Sequence, residues 1–474
     1  MLDLLVEMTN QYSVEKTGKS VDTTKKEMKQ LLGIFFRMGL AKMPGTRCYW
    51  ENDTRYDPVA STMSRNRFQL LMRVIYIVDN NRVTEEDKKD KLWKIRPWLE
   101  KFRNNCVKVV PDENNSIDEM MIPFKGKFSK IKQYVKGKPH PWGIKVWVRA
   151  SATGIVCDFD VYQGNKERKE RSLLGVGADV ILKLCSSLPQ NVPGQPSFNY
   201  KIYADNFFTG MALLVELQKL GIHYTGTVRP NCIPGINLQN EAEMKKKGRG
   251  IMDQSIEKNT KIVAVRWYDT RAVNVLSTFS GTDPRNPVSR FEKSKSMYVP
   301  VQRPAVIKLY NENMGGVDLH DCCVAKNSYR IKSKRWYMYI FWQTIRMMLV
   351  NAWLSYRRVT GLLGYSKRDT MNQRKFQARL ATLLIQFENS SERKRGRPSA
   401  ECSKESLVKR RRLQTLLPNP QIATDGYNHF IIKNDNHQRC RLCSLKTKNV
   451  CEKCNVFLCF TEKRNCFREF HFSS

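Results

Sequence analysis

The sequence predicts a mixed α/β fold with flanking helices and a small cysteine-rich module, and three observations carry that reading. The apolar period switches from helical spacing over residues 1–110 to strand-like runs over 116–230. Within the second stretch helical patterns alternate with strands, which is the order of a layered α/β domain. Six of the 14 cysteines then crowd into Cys440–Cys466, where their spacing suits metal ligands better than a buried core.

The bulk properties bound what such a chain can do. At 474 residues it can hold two to four domains with a sizeable core, and 41% hydrophobic with 10% aromatic content belongs to a folded protein. A net charge of +37 calls for a polyanionic partner, nucleic acid before a membrane surface. No run of 18 apolar residues exists, so no membrane partner is expected. Met1-Leu2-Asp3-Leu4-Leu5-Val6-Glu7 has neither a basic start nor a small-residue cleavage site and does not read as a signal peptide. A nuclear or cytosolic protein is expected, with Cys48, Cys106, Cys157, Cys185, Cys232, Cys322, Cys323 and Cys402 as mostly buried thiols.

Taken in order, Thr23-Thr24-Lys25-Lys26-Glu27 reads as an N-cap region leading into a helix over Met28–Met38. Ser64 can cap Arg65–Val78, and Lys91–Asn104 gives a third helix that Pro97 starts or kinks. Arg65, Arg67 and Arg73 could reach phosphates or form an ordinary solvated face. Strands come next at Ser116–Phe124, Gly143–Ala150, Ile155–Tyr162, Lys201–Phe208 and Tyr224–Arg229, with helices at Leu173–Leu188 and Thr209–Leu220 between them. Residues 231–300 suggest an inserted subdomain of short strands, and 312–329 return to helix. The long helix Ser333–Arg358 carries Trp336, Tyr337, Phe341, Trp342, Trp353 and Tyr356, a stripe that fits a core or dimer interface. Gln373–Phe387 adds one more helix.

The domain plan is therefore 1–110 helical, 111–330 mixed α/β with 231–300 inserted, 331–390 helical, 391–428 a basic linker and 429–474 the cysteine module. The linker holds Arg393-Lys394-Arg395-Gly396-Arg397-Pro398 and Lys409-Arg410-Arg411-Arg412. Those clusters suit a bipartite nuclear import signal. Arg395 and Arg397 also form the core of a strip that can lie in a narrow minor groove.

Chemistry concentrates in three acidic segments. Ile117-Asp118-Glu119-Met120-Met121-Ile122 puts carboxylates into an apolar strand, and a carboxylate buried without compensation costs several kcal/mol. No further acid appears until Asp158, while Lys125, Lys127, Lys130, Lys132, Lys136, Lys138 and Lys145 crowd the interval. Of these, Lys125, Lys127, Lys138 and Lys145 are candidate DNA contacts. Tyr203-Ala204-Asp205-Asn206-Phe207-Phe208 repeats the pattern, with one Asp at a strand end. In Gly315-Gly316-Val317-Asp318-Leu319-His320-Asp321 the two acids stand i and i+3 on one helical face. Two strand Asp residues and one helix Asp can hold two Mg²⁺ ions about 4 Å apart, the arrangement used for phosphoryl transfer. Oxygen ligands suit that hard cation.

These segments make the sequence resemble the piggyBac transposase family. The likeness rests on Ile117-Asp118-Glu119, Pro123-Phe124-Lys125-Gly126, Tyr134, Lys138-Pro139 and Trp142-Gly143-Ile144-Lys145. It continues through Ala204-Asp205-Asn206-Phe207-Phe208, Gly226-Thr227-Val228-Arg229 and Gly315-Gly316-Val317-Asp318 with Asp321, over about residues 1–360. The resemblance implies an RNase H-like catalytic domain whose triad is Asp118, Asp205 and Asp318, with Asp321 a further acidic position. It implies Mg²⁺-dependent nicking at transposon ends, a hairpin intermediate, joining at TTAA and a DNA-bound homodimer. It also implies an acidic N-terminal tail, whereas Met1 here is expected to stand nearly at the folded domain. A second reading keeps the fold and the nucleus but makes the protein a domesticated DNA-binding relative that no longer transposes. A chromatin or interaction protein working through its cysteine module is the third.

Cys440, Cys443, Cys451, Cys454, Cys459, Cys466 and His471 have the spacing of structural zinc ligands, since paired CxxC turns let both thiolates reach one ion. Seven ligands are one short of two tetrahedral sites, with His437 or His429 as the eighth, or one ion is bound and cysteines are spare. The resemblance implies an interleaved two-zinc module on transposon-end DNA.

Overall fold

The computed structural model describes residues 1–126, 131–138, 140–164, 174–189, 199–233, 235–386, 418 and 420–472. It divides into two compact units, Met1–Arg393 and Lys394–Ser474.

The first unit opens with helices α1 (Leu2–Thr17), α2 (Lys25–Leu40), α3 (Asp57–Ala60), α4 (Arg65–Val74) and α5 (Arg96–Val107). Thr24 caps α2 by accepting the Glu27 N–H, Ser64 caps α4 by accepting the Arg67 N–H, and Pro97 sits in the first turn of α5. Helix α4 stops at Val74, short of the expected Val78, because Arg335 donates to the Met72 and Ile75 carbonyls at 2.9 and 3.0 Å. Arg67 is not free for phosphate. Its guanidinium grips Glu27 through two bonds and the Val21 carbonyl through a third.

A nine-stranded sheet comes next, made of β1 (Asn114–Pro123), β2 (Lys132–Tyr134), β3 (Trp142–Ser151), β4 (Val156–Val161), β5 (Lys201–Ala204), β6 (His223–Thr227), β7 (Met252–Ile256), β8 (Val263–Tyr268) and β9 (Ala272–Ser277). Strand β1 is central, antiparallel to β3 and parallel to β5, and β5 is parallel to β6. With β4 antiparallel on β3, this five-stranded heart is the expected RNase H-like mixed sheet. Helices α6 (Val176–Cys185) and α7 (Met211–Lys219) join its parallel strands. Strand β5 ends at Ala204 rather than running to Phe208, because the Asp205 carboxylate accepts the Phe207 N–H at 2.9 Å and turns the chain.

The expected insertion is not a sheet of its own. Strand β9 pairs antiparallel with β6, so β7, β8 and β9, which follow the short helix α8 (Glu241–Lys247), extend the same sheet. Only β10 (Asn286–Glu292) and β11 (Met297–Arg303) form a separate ribbon. The helix expected over 312–329 is two, α9 (Ala305–Asn313) and α10 (Gly316–Lys326), broken at Met314-Gly315. Helices α11 (Trp336–Leu362) and α12 (Gln373–Gln386) complete the unit.

Two apolar layers sandwich the sheet. Along β1, Met120 and Ile122 face the helical side, whereas Ile117 faces α6 and α7 with Ile181, Leu184 and Leu214. The helical layer joins residues from α1 through α5 to α11, whose Tyr337, Phe341, Trp342 and Trp353 are buried, so that aromatic stripe is core. A buried ionic knot pins the layers together. Asp158, fully buried, accepts Arg103 at 2.6 and 2.9 Å and Ser187 at 2.6 Å, while Arg149 donates to Ser187, Asn115 and the Leu184 carbonyl. Cys106, Cys157, Cys185 and Cys323 are buried free thiols, whereas Cys232 and Cys322 are exposed.

The second unit holds α13 (Pro420–Ala423), β12 (Ile431–Arg439), β13 (Lys446–Cys451), β14 (Val456–Phe457), β15 (Phe460–Thr461), β16 (Arg464–Asn465) and α14 (Cys466–Phe472). Its core is little more than Val456, Leu458, Phe467 and the cysteines, too small to hold a fold without cross-links. Among the described residues no helix is long and apolar enough to cross a membrane.

Candidate active site and metal centres

The sheet brings the three acidic segments to one mouth. Asp118 lies in the middle of β1, Asp205 stands just past the end of β5 next to it, and Asp318 and Asp321 stand on α10. Helix α10 can approach because Gly316 lacks a side chain: a Cβ there would lie 2.2 Å from the Ser151 carbonyl oxygen and 2.7 Å from Ser116 Oγ. Asp118 and Asp205 are half-buried, Asp321 likewise, and Asp318 is exposed.

Lys138, from the β2–β3 loop, is the shared neighbour of all four. Its Nζ stands 3.6 Å from Glu119 Oε1 and 3.5 Å from the Glu119 carbonyl. Burial opposes its charge, yet Glu119, Asp118 and Asp318 together hold its pKa above the ordinary value. Burial pushes the Asp118 carboxyl up to about 7, and repulsion from Glu119 and Asp205 adds to it against the pull of the Glu119 N–H and Lys138. Asp205 is raised by burial and Glu119, against the Phe207 N–H, Arg229 and Lys138. Asp321 is raised by burial, with Lys138 opposing and Asp318 adding. Burial pushes the hydroxyl of half-buried Tyr310 up to about 12, with Asp205 and Asp118 among its neighbours.

Burial chiefly, with neighbouring carboxylates adding, raises these carboxyls, and a hard divalent ion with oxygen ligands would offset both. The acids do not close tightly on one another. Among the described residues only cysteine–histidine groups bring three or more ligand atoms within 4.8 Å, so the carboxylates border a wider space.

The cysteine module contains two such groups, Cys440–Cys443–Cys459–Cys466 and His429–Cys451–Cys454–His471. They interleave along the chain, each CxxC pair taking its remaining ligands from across the other. Neighbouring ligand atoms stand 3.5 Å apart at Cys443–Cys459, Cys451–His429 and Cys454–His429. Tetrahedral thiolate bonds of about 2.3 Å set ligand atoms roughly 3.8 Å apart, so the groups fit zinc. The histidines are oriented for it. His471 gives its Nδ1 to the Ala423 carbonyl at 2.6 Å, leaving Nε2 buried without a partner, and His429 Nε2 meets Asp425 at 3.0 Å while Nδ1 faces the thiols. A second partner that fixes the tautomer is the usual support of a metal-bound imidazole. His429 is the eighth member of the two groups, whereas His437 is exposed on β12 and belongs to neither.

Known proteins share both the sequence and the architecture. The family model described as Transposase IS4 matches residues 1–353. The chain is 33% identical over 461 residues to human PiggyBac transposable element-derived protein 3, covering 97% of this chain and 72% of that one. The chain belongs to the piggyBac transposase family. Human PiggyBac transposable element-derived protein 2 is 29% identical over 99% of this chain and 74% of its own length. A human chimeric ERCC6-PGBD3 protein is 33% identical over 97% of this chain and 40% of its own. The fold is that of a piggyBac transposase solved by cryo-electron microscopy as a synaptic complex with hairpin DNA, with TM-score 0.67 and 20% identity over 97% of this chain and 94% of that one.

Within this piggyBac-family fold the expected DNA contacts separate. Lys125 is exposed, whereas Lys138 and Lys145 are half-buried and turned toward the acids. Lys127, Arg395 and Arg397 lie outside the described residues, as do most of the basic linker and the import signal expected there. Three partners were not legible as site residues: Glu119 as the anchor of Lys138, Tyr310 beside Asp205, and Arg229. The last stood in the Gly226-Thr227-Val228-Arg229 motif without a role. Arg229, with Asn206, Arg266, Arg271 and Asn274, lines a cleft of about 490 Å³ that opens next to Asp205.

Proposed function

We propose that this chain is a piggyBac-type DNA transposase that cuts and rejoins transposon ends at TTAA through a hairpin intermediate, acting in the nucleus as a homodimer. The observation that carries the reading is the gathering of Asp118, Asp205 and Asp318 on the central strand, its parallel neighbour and α10, with Lys138 facing all of them. Magnesium, held by Asp118, Asp205 and Asp318 as two ions, would supply Lewis-acid activation of the attacking oxygen and charge neutralisation at the leaving one. The chain's own part is positioning. Lys138, Lys145 and Arg229 ring the acids and offer cations to a scissile phosphate, and the arginine-lined cleft beside Asp205 gives the strand a path. Asp321, deeper on α10, bears on Asp318 rather than on substrate. The hairpin DNA bound in the solved piggyBac transposase complex supports the intermediate, and the two-ended substrate supports a dimer.

The eight cysteine–histidine ligands would hold two structural zinc ions, and Lys446, Lys448, Lys453, Lys463, Arg464 and Arg468 would carry that module onto end DNA. Excision in cells tests the whole reading, with a reporter flanked by the gene's own genomic borders. Seamless repair to TTAA that Asp205→Ala and Asp318→Ala abolish and Asp321→Ala only weakens is the expected result. Binding to those borders without excision would make the protein the domesticated, non-transposing relative, and loss limited to Asp321→Ala would reverse the roles on α10.

A further inference from the structure

Two residues beyond Asp205 the chain exposes an aromatic ring that the core does not need. Phe207 is 42% exposed, whereas its neighbour Phe208 is buried. One face of Phe207 stacks on Trp147, itself buried, with centroids 5.5 Å apart and planes 18° from parallel. Phe208 braces it edge-on at 5.1 Å. Lys145 Nζ stands 4.5 Å from the Trp147 ring centre and 5.6 Å from that of Phe207, a cation at the stack's edge.

The ring's position is fixed from both sides. The Asp205 carboxylate accepts the Phe207 N–H at 2.9 Å, so the residue that turns the chain also aims the ring. Behind it, α6 presses so close that a Cβ on Gly177 would lie 2.4 Å from the Phe207 carbonyl oxygen and 2.8 Å from the Phe208 Cα. An exposed phenyl held this rigidly pays no ordering cost on binding and presents a flat apolar face. Lys145 ties the stack to the acids, since its ammonium feels Glu119, Asp205 and Asp118.

We propose that Phe207, backed by Trp147 and flanked by Lys145, is a stacking platform for one unpaired base of the DNA strand beside the scissile phosphate. This inference rests on the proposed reading that DNA enters next to Asp205. An aromatic face accepts any base, because every base has a π-face, while the adjacent cation serves its phosphate. A strand end that must leave its duplex to be joined into a hairpin has such a base, and a fully paired duplex does not.

The test needs no cutting. Full-length protein in magnesium-free buffer is titrated into a duplex with a short single-stranded end carrying 2-aminopurine, and into the same label within a paired duplex. The wild type is expected to quench the label at the unpaired end only. Phe207→Ala and the volume-keeping Phe207→Leu should lose that quench and bind the frayed duplex about tenfold more weakly, with affinity for the paired duplex unchanged. Phe207→Trp should retain both. Circular dichroism and thermal unfolding establish that the variants fold, and Phe207→Leu preserves contact with Trp147 if Phe207→Ala does not. Quenching by Phe207→Leu equal to the wild type, or none by the wild type, overturns the platform. Excision without Phe207-dependent quenching removes this inference alone; quenching without excision leaves it standing and removes the transposase reading.

Discussion

On β1 the Asp118 carboxyl is held half-buried beside Glu119 and within the field of Asp205, and its titration reflects both. Its folded-state pKa is about 7 against an ordinary 3.8, so between those values the folded protein holds a proton that the unfolded chain has released. Stability of the metal-free protein from this group therefore falls as pH rises through that window and is intact below it. We expect the metal-free protein to melt at higher temperature near pH 5 than near pH 8, and Asp118→Asn to flatten the difference. Magnesium should raise the melting temperature more at pH 8 than at pH 5 in the wild type, and do little in Asp118→Asn. A melting temperature independent of pH in the wild type would contradict the burial of this carboxyl. Asp118 and Asp205 were legible because each interrupts an apolar run, and Asp318 because it shares a helical face with Asp321 behind a Gly-Gly pair. Glu119's hold on Lys138 was not, because it joins a strand to a loop through a contact that spacing does not encode.

Among the elements, α10 decides whether the acids meet. Gly316 rests on the backbone of Ser151 and the side chain of Ser116, at a distance no Cβ can share. Gly316→Ala should lift the start of α10, cost about 1–3 kcal/mol in chemical denaturation and suppress excision more than DNA binding. Equal stability and full excision would mean that the helix has slack. The glycine pair was visible in the sequence as a motif. What it touches was not, nor that the chain breaks there into two helices. The buried Asp158 knot belongs to the same scale. Removing Arg103 leaves an enclosed carboxylate with less of its compensation, so Arg103→Ala should destabilise by about 3 kcal/mol without altering metal binding.

For the whole molecule, each of the two units has its own source of stability. The first buries two apolar layers around one sheet; the second depends on its cysteines and histidines. Metal analysis of the purified protein should give two zinc ions per chain. His429→Ala should weaken or lose the ion of its own group and leave the four-cysteine site filled, whereas His437→Ala should leave both. One ion in the wild type would refute the second site. With a net charge of +37, affinity for DNA should fall steeply as salt rises.

Local chemistry let the sequence alone single out the candidate acids, seven members of the two cysteine–histidine groups, most helix starts and the strands of the sheet's heart. Periodicity, caps and ligand spacing act over a few residues and survive without a fold. The tertiary structure decided what depends on distant segments meeting. It placed His429 as the eighth member of the cysteine–histidine groups, joined the inserted strands to the central sheet through β9, and ended β5 at Ala204, just before Asp205. It also turned Lys138 and Lys145 toward the acids, because half-buried carboxylates attract whichever cation the fold brings within reach.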